Sequence, residues 1–277
     1  MKVHQIRIDF NVTKEIKRYV FVYLIEAEYC YLIDSGAAGC QDKICSRLEQ
    51  IGKDVSDIRG IFLTHAHPDH IGTAAWFREK SGCKVYAAAG EKRWIEDIDI
   101  QYKERPIPGF YRLAGRSVPV DQIIFDGDRI EPEDGLIVEA VGTPGHSADE
   151  MSFRIDDCVF TGDSIPVQGD IPIYVDRDKT VKSMDRLAAM DDVKWFYPAW
   201  DKTCTYEELK KKAADGKMLV QIIDESVKKN VQMSGKTELP EMVQAVCRDL
   251  KMPCLMKNPL FERTVKCHLE KNRCIKK

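Results

Sequence analysis

The sequence predicts an α+β protein, a sheet sandwich carrying helices and followed by a C-terminal helical appendage. Three observations predict it. Up to about residue 201, short runs of β-branched and aromatic residues alternate with helical periodicities. From Thr205 onward no strand is evident and three helical stretches follow. Between them, residues able to bind a metal or a proton fall just beyond one strand end after another, and strand ends gathered on one rim are where a site is normally assembled. The expected division is therefore a first domain over residues 1–204 and a helical region over 205–277.

Tyr19 to Glu26 and Tyr29 to Asp34 read as a hairpin, leaving the second strand at Asp34-Ser35-Gly36. Helical periodicity runs from about Gln41 to Ile51, and a turn follows at Gly52–Asp57. Ile61 to Leu63 is an apolar strand that runs directly into His65-Ala66-His67-Pro68-Asp69-His70. The proline biases His67 towards an extended conformation, so His65 and His67 sit two residues apart and point the same way. Asp69 and His70 fall in the turn before a helix that begins near Gly72 and covers Thr73 to Lys80. A strand at Lys84–Ala88 and a short helix at Glu91–Asp97 follow. Residues 100–121 hold three prolines and two glycines among Tyr102, Phe110 and Tyr111, and read as an irregular insertion that serves as a substrate lid or a plain surface excursion.

Strands resume at Gln122–Phe125, Arg129–Ile130 and Leu136–Val141, the last leading into Gly142-Thr143-Pro144-Gly145-His146. Two more strands, Met151–Ile155 and Cys158–Phe160, end in Thr161-Gly162-Asp163. A helix over Lys179–Met190 precedes a last strand, Val193–Tyr197, which ends in Pro198-Ala199-Trp200-Asp201. Tyr206–Asn230, Pro240–Leu250 and Asn258–Lys271 read as helices, with Asn258 at an N-cap and Pro259 at the first helical position.

The composition is that of an ordinary globular chain, with 277 residues, 44% hydrophobic and 31% charged. No apolar run approaches the roughly 20 residues needed to cross a bilayer, and Met1 to Arg7 lacks a secretory core, so a cytoplasmic protein is expected. The ten cysteines form no C-x-x-C pair and read as reduced thiols. Cys247, Cys254, Cys267 and Cys274 beside His268 are too widely spaced for a zinc signature, and helix-borne thiols account for them better. The net charge of −3 is uneven, since residues 202–277 hold 17 Lys+Arg against 10 Asp+Glu. Such a tail can attract an anionic substrate or nucleic acid, although solvated faces of Lys-rich helices are the preferred account.

Three imidazoles and a carboxylate within six positions suit divalent ions, zinc above all. His65-x-His67-x-Asp69-His70, Thr143-Pro144-Gly145-His146 and Thr161-Gly162-Asp163 occur in that order, and the set resembles the ordered motifs of the metallo-β-lactamase superfamily of hydrolases over most of residues 1–201. The resemblance implies a four-layer αββα sandwich with its metal site on one edge. It also implies that His65, His67 and His146 bind a first metal, that Asp69 and His70 contribute to a second, that Asp163 bridges the two, and that Asp34 supports the site from behind. One or two ions per chain follow. The sequence departs from the family where a further histidine is expected, because the turn after the last strand carries Trp200-Asp201. Indole N–H is a donor only and cannot ligate. Asp201 could enter as an oxygen ligand and favour iron or manganese over zinc, Cys204 is a weaker substitute, or Trp200 walls the substrate pocket beside an altered second site.

The expected function is a metal-dependent hydrolase that cleaves a small ester, thioester or lactone with a metal-bound hydroxide, Asp69 acting as the catalytic carboxylate. The helical tail resembles that of glyoxalase II-type thioesterases and lactonase-like relatives. A ligand-binding or regulatory scaffold with weakened catalysis is the alternative that Trp200 motivates, and a phosphodiesterase is a third. The expected partner is a small molecule, with neither nucleic acid nor membrane involved, and a homo-oligomer is left open.

Overall fold

A computed structural model of the protein describes residues 1–167, 169–234 and 238–274. The first sheet has strand order β1 (Lys2–Asn11), β2 (Lys17–Glu26), β3 (Cys30–Ile33), β4 (Ile58–Phe62), β5 (Lys84–Ala88), β6 (Gln122–Ile124). Its first three strands are antiparallel, and β3 to β6 are parallel. Parallel neighbours require crossover connections, and the chain supplies them as α1 (Gln41–Gln50), α3 (Ala74–Ser81) and the segment from α4 (Ala89–Glu96) onward. A one-turn helix, α2 (Pro68–Ile71), precedes α3. The second sheet runs β11 (Trp195–Pro198), β10 (Cys158–Gly162), β9 (Met151–Ile155), β8 (Leu136–Gly142), β7 (Arg129–Glu133), antiparallel except where β10 meets β11.

Strands β2 to β5 of the first sheet are apolar on both faces, and the alternation sorts their side chains into two cores. Val20, Val22 and Leu24 on β2, Ile61 on β4 and Val85 and Ala87 on β5 face a core shared with Ile44 and Leu48 of α1 and Phe77 of α3. Tyr23, Ile25, Tyr31, Phe62 and Tyr86 face the other way and meet Val138, Phe153 and Phe160 of the second sheet. Aromatic pairs join the sheets, with ring centroids 5.5 Å apart for Phe62–Phe153 and 5.2 Å for Tyr23–Phe160.

The chain forms two compact units. The first contains Met1–Gly142, Asp149–Gly162 and Val193–Thr203, and includes the layers just described. The second contains Thr143–Ala148, Asp163–Asp192 and Cys204–Lys277. It carries the two-residue strand β12 (Cys204–Thr205) and the helices α7 (Arg177–Ala188), α8 (Tyr206–Ser234), α9 (Leu239–Asp249) and α10 (Pro259–Cys274). Its core gathers Tyr174, Met184, Ile223, Val227, Met242, Val246, Phe261 and Val265. Asn258 caps α10 through its side-chain oxygen, which accepts from the amides of Leu260 and Phe261 at 2.9 and 3.1 Å.

Two features differ from the sequence reading, and the late cysteines agree with it among the described residues. The N-terminal strand β1 was not expected, although Ile6, Ile8 and Phe10 alternate with polar residues as a half-buried strand requires. The stretch 100–121 is not irregular throughout, because α5 (Ile98–Glu104) and α6 (Phe110–Ala114) occupy much of it. Asp97 caps α5 by accepting from the Asp99 and Ile100 amides, Pro106 and Pro108 fall between the helices, and Pro119 lies beyond α6. The late cysteines form no metal-capable group among the described residues. Cys247 and Cys267 are buried thiols, Cys254 is exposed, and the side chain of Cys274 lies outside the described residues.

Candidate metal centre

The motif after β4 folds as its residues dictate. His67 has φ −63° and ψ 148°, the extended geometry imposed on a residue before proline, and Pro68 opens α2. His65, His67 and His70 are buried. The His65 and His67 rings meet in a T-shape with centroids 4.4 Å apart, and the His65 and His70 rings are tilted with centroids 4.1 Å apart.

Hydrogen bonds settle which imidazole nitrogen points where. The Thr64 hydroxyl donates to the Asp34 carboxylate, whose oxygens lie at 3.0 and 2.9 Å, so it accepts from His65 Nδ1 at 3.0 Å. Glu150, itself fully buried, stands 3.5 Å from the same nitrogen. His70 Nδ1 donates to Asp34 Oδ2 at 2.8 Å, and His146 Nδ1 donates to the Ile173 carbonyl at 2.8 Å. In each ring the proton is held on Nδ1, which makes Nε2 the lone-pair nitrogen. Asp34 is the hub. It also accepts from the Thr64 amide at 2.8 Å, and it has φ +58°, a left-handed conformation that few residues other than glycine, asparagine and aspartate adopt readily.

His65, His67, His146 and Asp163 each offer a ligating atom, and all four atoms lie within 4.8 Å of one another. His146 Nε2 stands 3.3 Å from Asp163 Oδ2. Three imidazoles and a carboxylate, with Nδ1 of His65 and of His146 already committed to acceptors, make a donor set that fits a divalent ion. Asp69 and His70 are not among the four; Asp69 Oδ2 lies 3.9 Å from His70 Nε2. Trp200 packs edge-on against Phe10 and tilted against Tyr19, both at 6.2 Å between centroids, and Tyr19 donates to its carbonyl. Asp201 accepts from the Lys202 amide at 2.7 Å, and neither it nor the buried Cys204 joins the group.

A profile of the metallo-beta-lactamase superfamily matches residues 16–199. The chain belongs to the metallo-beta-lactamase superfamily. Among curated superfamily proteins, a probable metallo-hydrolase of Bacillus subtilis is 33% identical over 146 residues, which is 51% of this chain and 63% of that protein. A probable polyketide biosynthesis zinc-dependent hydrolase of Bacillus velezensis is 25% identical over 62% of this chain and 70% of its own length. A hydroxyacylglutathione hydrolase of Cereibacter sphaeroides is 32% identical over 39% of this chain and 34% of its own. These matches thus span from about a third to about seven tenths of the relatives. Among solved structures, a metallo-beta-lactamase family protein of Thermus thermophilus superposes with a TM-score of 0.77 at 18% identity, covering 99% of this chain and 94% of that one. An archaeal superfamily protein of Sulfolobus tokodaii gives 0.59 at 21%, covering 98% of each. The fold is the superfamily's αββα sandwich with a C-terminal helical region formed by α8, α9 and α10.

The structure also brings up residues that sequence reasoning missed. Glu91 on α4 is buried and accepts from the Ala66 amide at 3.0 Å and from the Asp149 amide at 3.0 Å. Gln101 on α5, also buried, donates to the Ala66 carbonyl at 2.6 Å. The one residue between His65 and His67 is clamped through both its amide and its carbonyl. Neither residue carries a motif, and only an acid and an amide amid apolar helical positions hinted at them.

Proposed function

We propose that the chain is a metal-dependent hydrolase acting on a small ester, thioester or lactone, with His65, His67, His146 and Asp163 as the ligands of one divalent ion, zinc by preference. The grouping of those four donors within 4.8 Å carries the reading. A divalent ion so held acidifies a water and polarises a carbonyl oxygen. The remaining steps belong to the protein. Asp69, whose side chain keeps 14% of its exposure at the start of α2, orients the attacking water and accepts its proton. Water adds to the carbonyl carbon, the bond to the leaving oxygen or sulfur breaks, and Asp69 passes the proton to that atom, so the products are an acid and an alcohol or thiol. Asp34, Thr64 and the Ile173 carbonyl keep the imidazoles in the tautomer that presents Nε2. The relatives named zinc-dependent hydrolase and hydroxyacylglutathione hydrolase support both the metal and the thioester class.

His70 and Asp69 stand ready for a second ion, but the turn 198–201 offers no imidazole. That observation favours a second reading, a ligand-binding protein that keeps the first metal without efficient turnover. Metal content and hydrolysis of a thioester, ester and lactone panel separate the two. The hydrolase reading predicts turnover in the native protein, and loss of both turnover and bound metal in H65A and H146A. Full turnover in both variants would refute it.

A further inference from the structure

We propose that α10 positions the metal ligand His146, with Thr264 as the positioning residue and the buried Tyr174–His268 pair holding it in place. The inference rests on the reading of His146 as a ligand. The His146 ring is aimed through the bond from its Nδ1 to the carbonyl of Ile173. Whatever fixes that carbonyl therefore fixes the imidazole.

The segment that carries Ile173 is held on both sides by α10. The Thr264 hydroxyl lies 2.8 Å from the Pro172 carbonyl and 3.2 Å from the Tyr174 carbonyl, and the Tyr174 amide donates to it at 3.1 Å. Thr264 is fully buried, so no water replaces these partners without moving the helix. One turn further along α10, His268 Nε2 accepts from the Tyr174 hydroxyl at 2.9 Å, and its Nδ1 donates to Asp224 on α8 at 3.2 Å. Asp224 is in turn paired with Arg177 on α7 and with Lys228. Three helices thereby grip a four-residue strap, 172–175.

The loop that bears His146 is tied to the same strap by its backbone. Val175 and Asp176 both donate to the Gly145 carbonyl, at 2.7 and 3.2 Å, and Ser183 on α7 donates to the Pro144 carbonyl at 2.7 Å. Gly145 has φ +140°, and a Cβ there would lie 2.5 Å from the Thr180 amide nitrogen. Only glycine lets the loop press this closely on α7. His146 thus has two supports, the Ile173 carbonyl and the Gly145 backbone, and both trace to the strap.

The test uses full-length protein and zinc itself as the probe. Zinc affinity is measured by competition with a chromophoric chelator, and unfolding of the metal-free form is followed in parallel. T264V should weaken zinc binding about tenfold, the range seen when an outer partner of a ligand is lost. T264S, which retains the hydroxyl, should match the native protein. Val265→Ala truncates the packing of the same helix; it should lower metal-free stability and leave zinc affinity intact. Unchanged affinity in T264V would overturn the proposal, as would an equal loss in V265A, since α10 would then act through stability alone. Should T264V not fold, Tyr174→Phe decides, a loss of affinity supporting the proposal and unchanged affinity overturning it. A native protein that binds no zinc overturns the ligand reading instead, and the positioning role with it.

Discussion

At the scale of single residues, Asp34 shows how much one side chain can determine. Its carboxylate takes the Thr64 hydroxyl, the Thr64 amide and His70 Nδ1, and its backbone sits at φ +58°. Asparagine tolerates that backbone almost as well, so D34N isolates the carboxylate from the turn. The expected result is a folded protein in which metal retention and turnover fall about 10- to 100-fold. Far-ultraviolet circular dichroism, metal analysis and kinetics check this together. D34A should be less stable than D34N, because it also strains the turn and leaves buried donors unmet at about 1–3 kcal/mol each.

Elements position the site by packing as well as by hydrogen bonding. Gly72, at the end of α2, lies where α2 and α6 pass each other, and a Cβ there would fall 2.2 Å from the Ala38 amide nitrogen and 2.3 Å from the Leu113 carbonyl oxygen. Both are backbone atoms that cannot swing aside. G72A should therefore cost about 3 kcal/mol or more, read as a lowered urea midpoint with an unchanged slope. The same elements show what sequence could and could not convey. The four donors that the fold groups together, His65, His67, His146 and Asp163, were legible because H-x-H-x-D-H is rare, and because His146 and Asp163 follow strand ends in order. Strands β2 to β5 were legible as short apolar runs rich in β-branched and aromatic residues, and α7 to α10 by apolar residues repeating along one helical face. Strand β1 went unnoticed because its apolar residues are interleaved with charges and its partner is recognisable only once β2 is placed. Helices α5 and α6 were hidden by the prolines between them, and Glu91 and Gln101 by acting on a backbone peptide rather than on a ligand. The Ile173 carbonyl could not have been found at all, since every residue has one.

For the molecule as a whole, the buried His268 makes stability depend on pH. Burial, reinforced by the nearby charges of Arg177 and Lys228, pushes its pKa down from 6.5 to about 3. Asp224 does not reverse this, because its carboxylate already answers both cations. Above pH 6.5 the ring is neutral folded or unfolded and contributes no pH dependence. Between 6.5 and about 3 the unfolded chain binds a proton that the fold refuses, so stability falls as pH falls. Urea unfolding at pH 7, 5.5 and 4.5 should show a loss approaching about 1.4 kcal/mol per pH unit from this one group. His268→Gln, which can still accept from Tyr174 and donate to Asp224, should flatten that slope. Among the described residues no helix is long and apolar enough to cross a membrane.

The strap on His146 also has a consequence in time. Thr264 and His268 follow His146 by more than a hundred residues in the chain, and a ribosome adds about 5–20 residues per second. The histidine motif after β4 and the loop bearing His146 thus emerge of the order of ten seconds before the helix that fixes the Ile173 carbonyl. During that interval the nascent chain holds its imidazoles without the support that Thr264 gives to the strap behind His146.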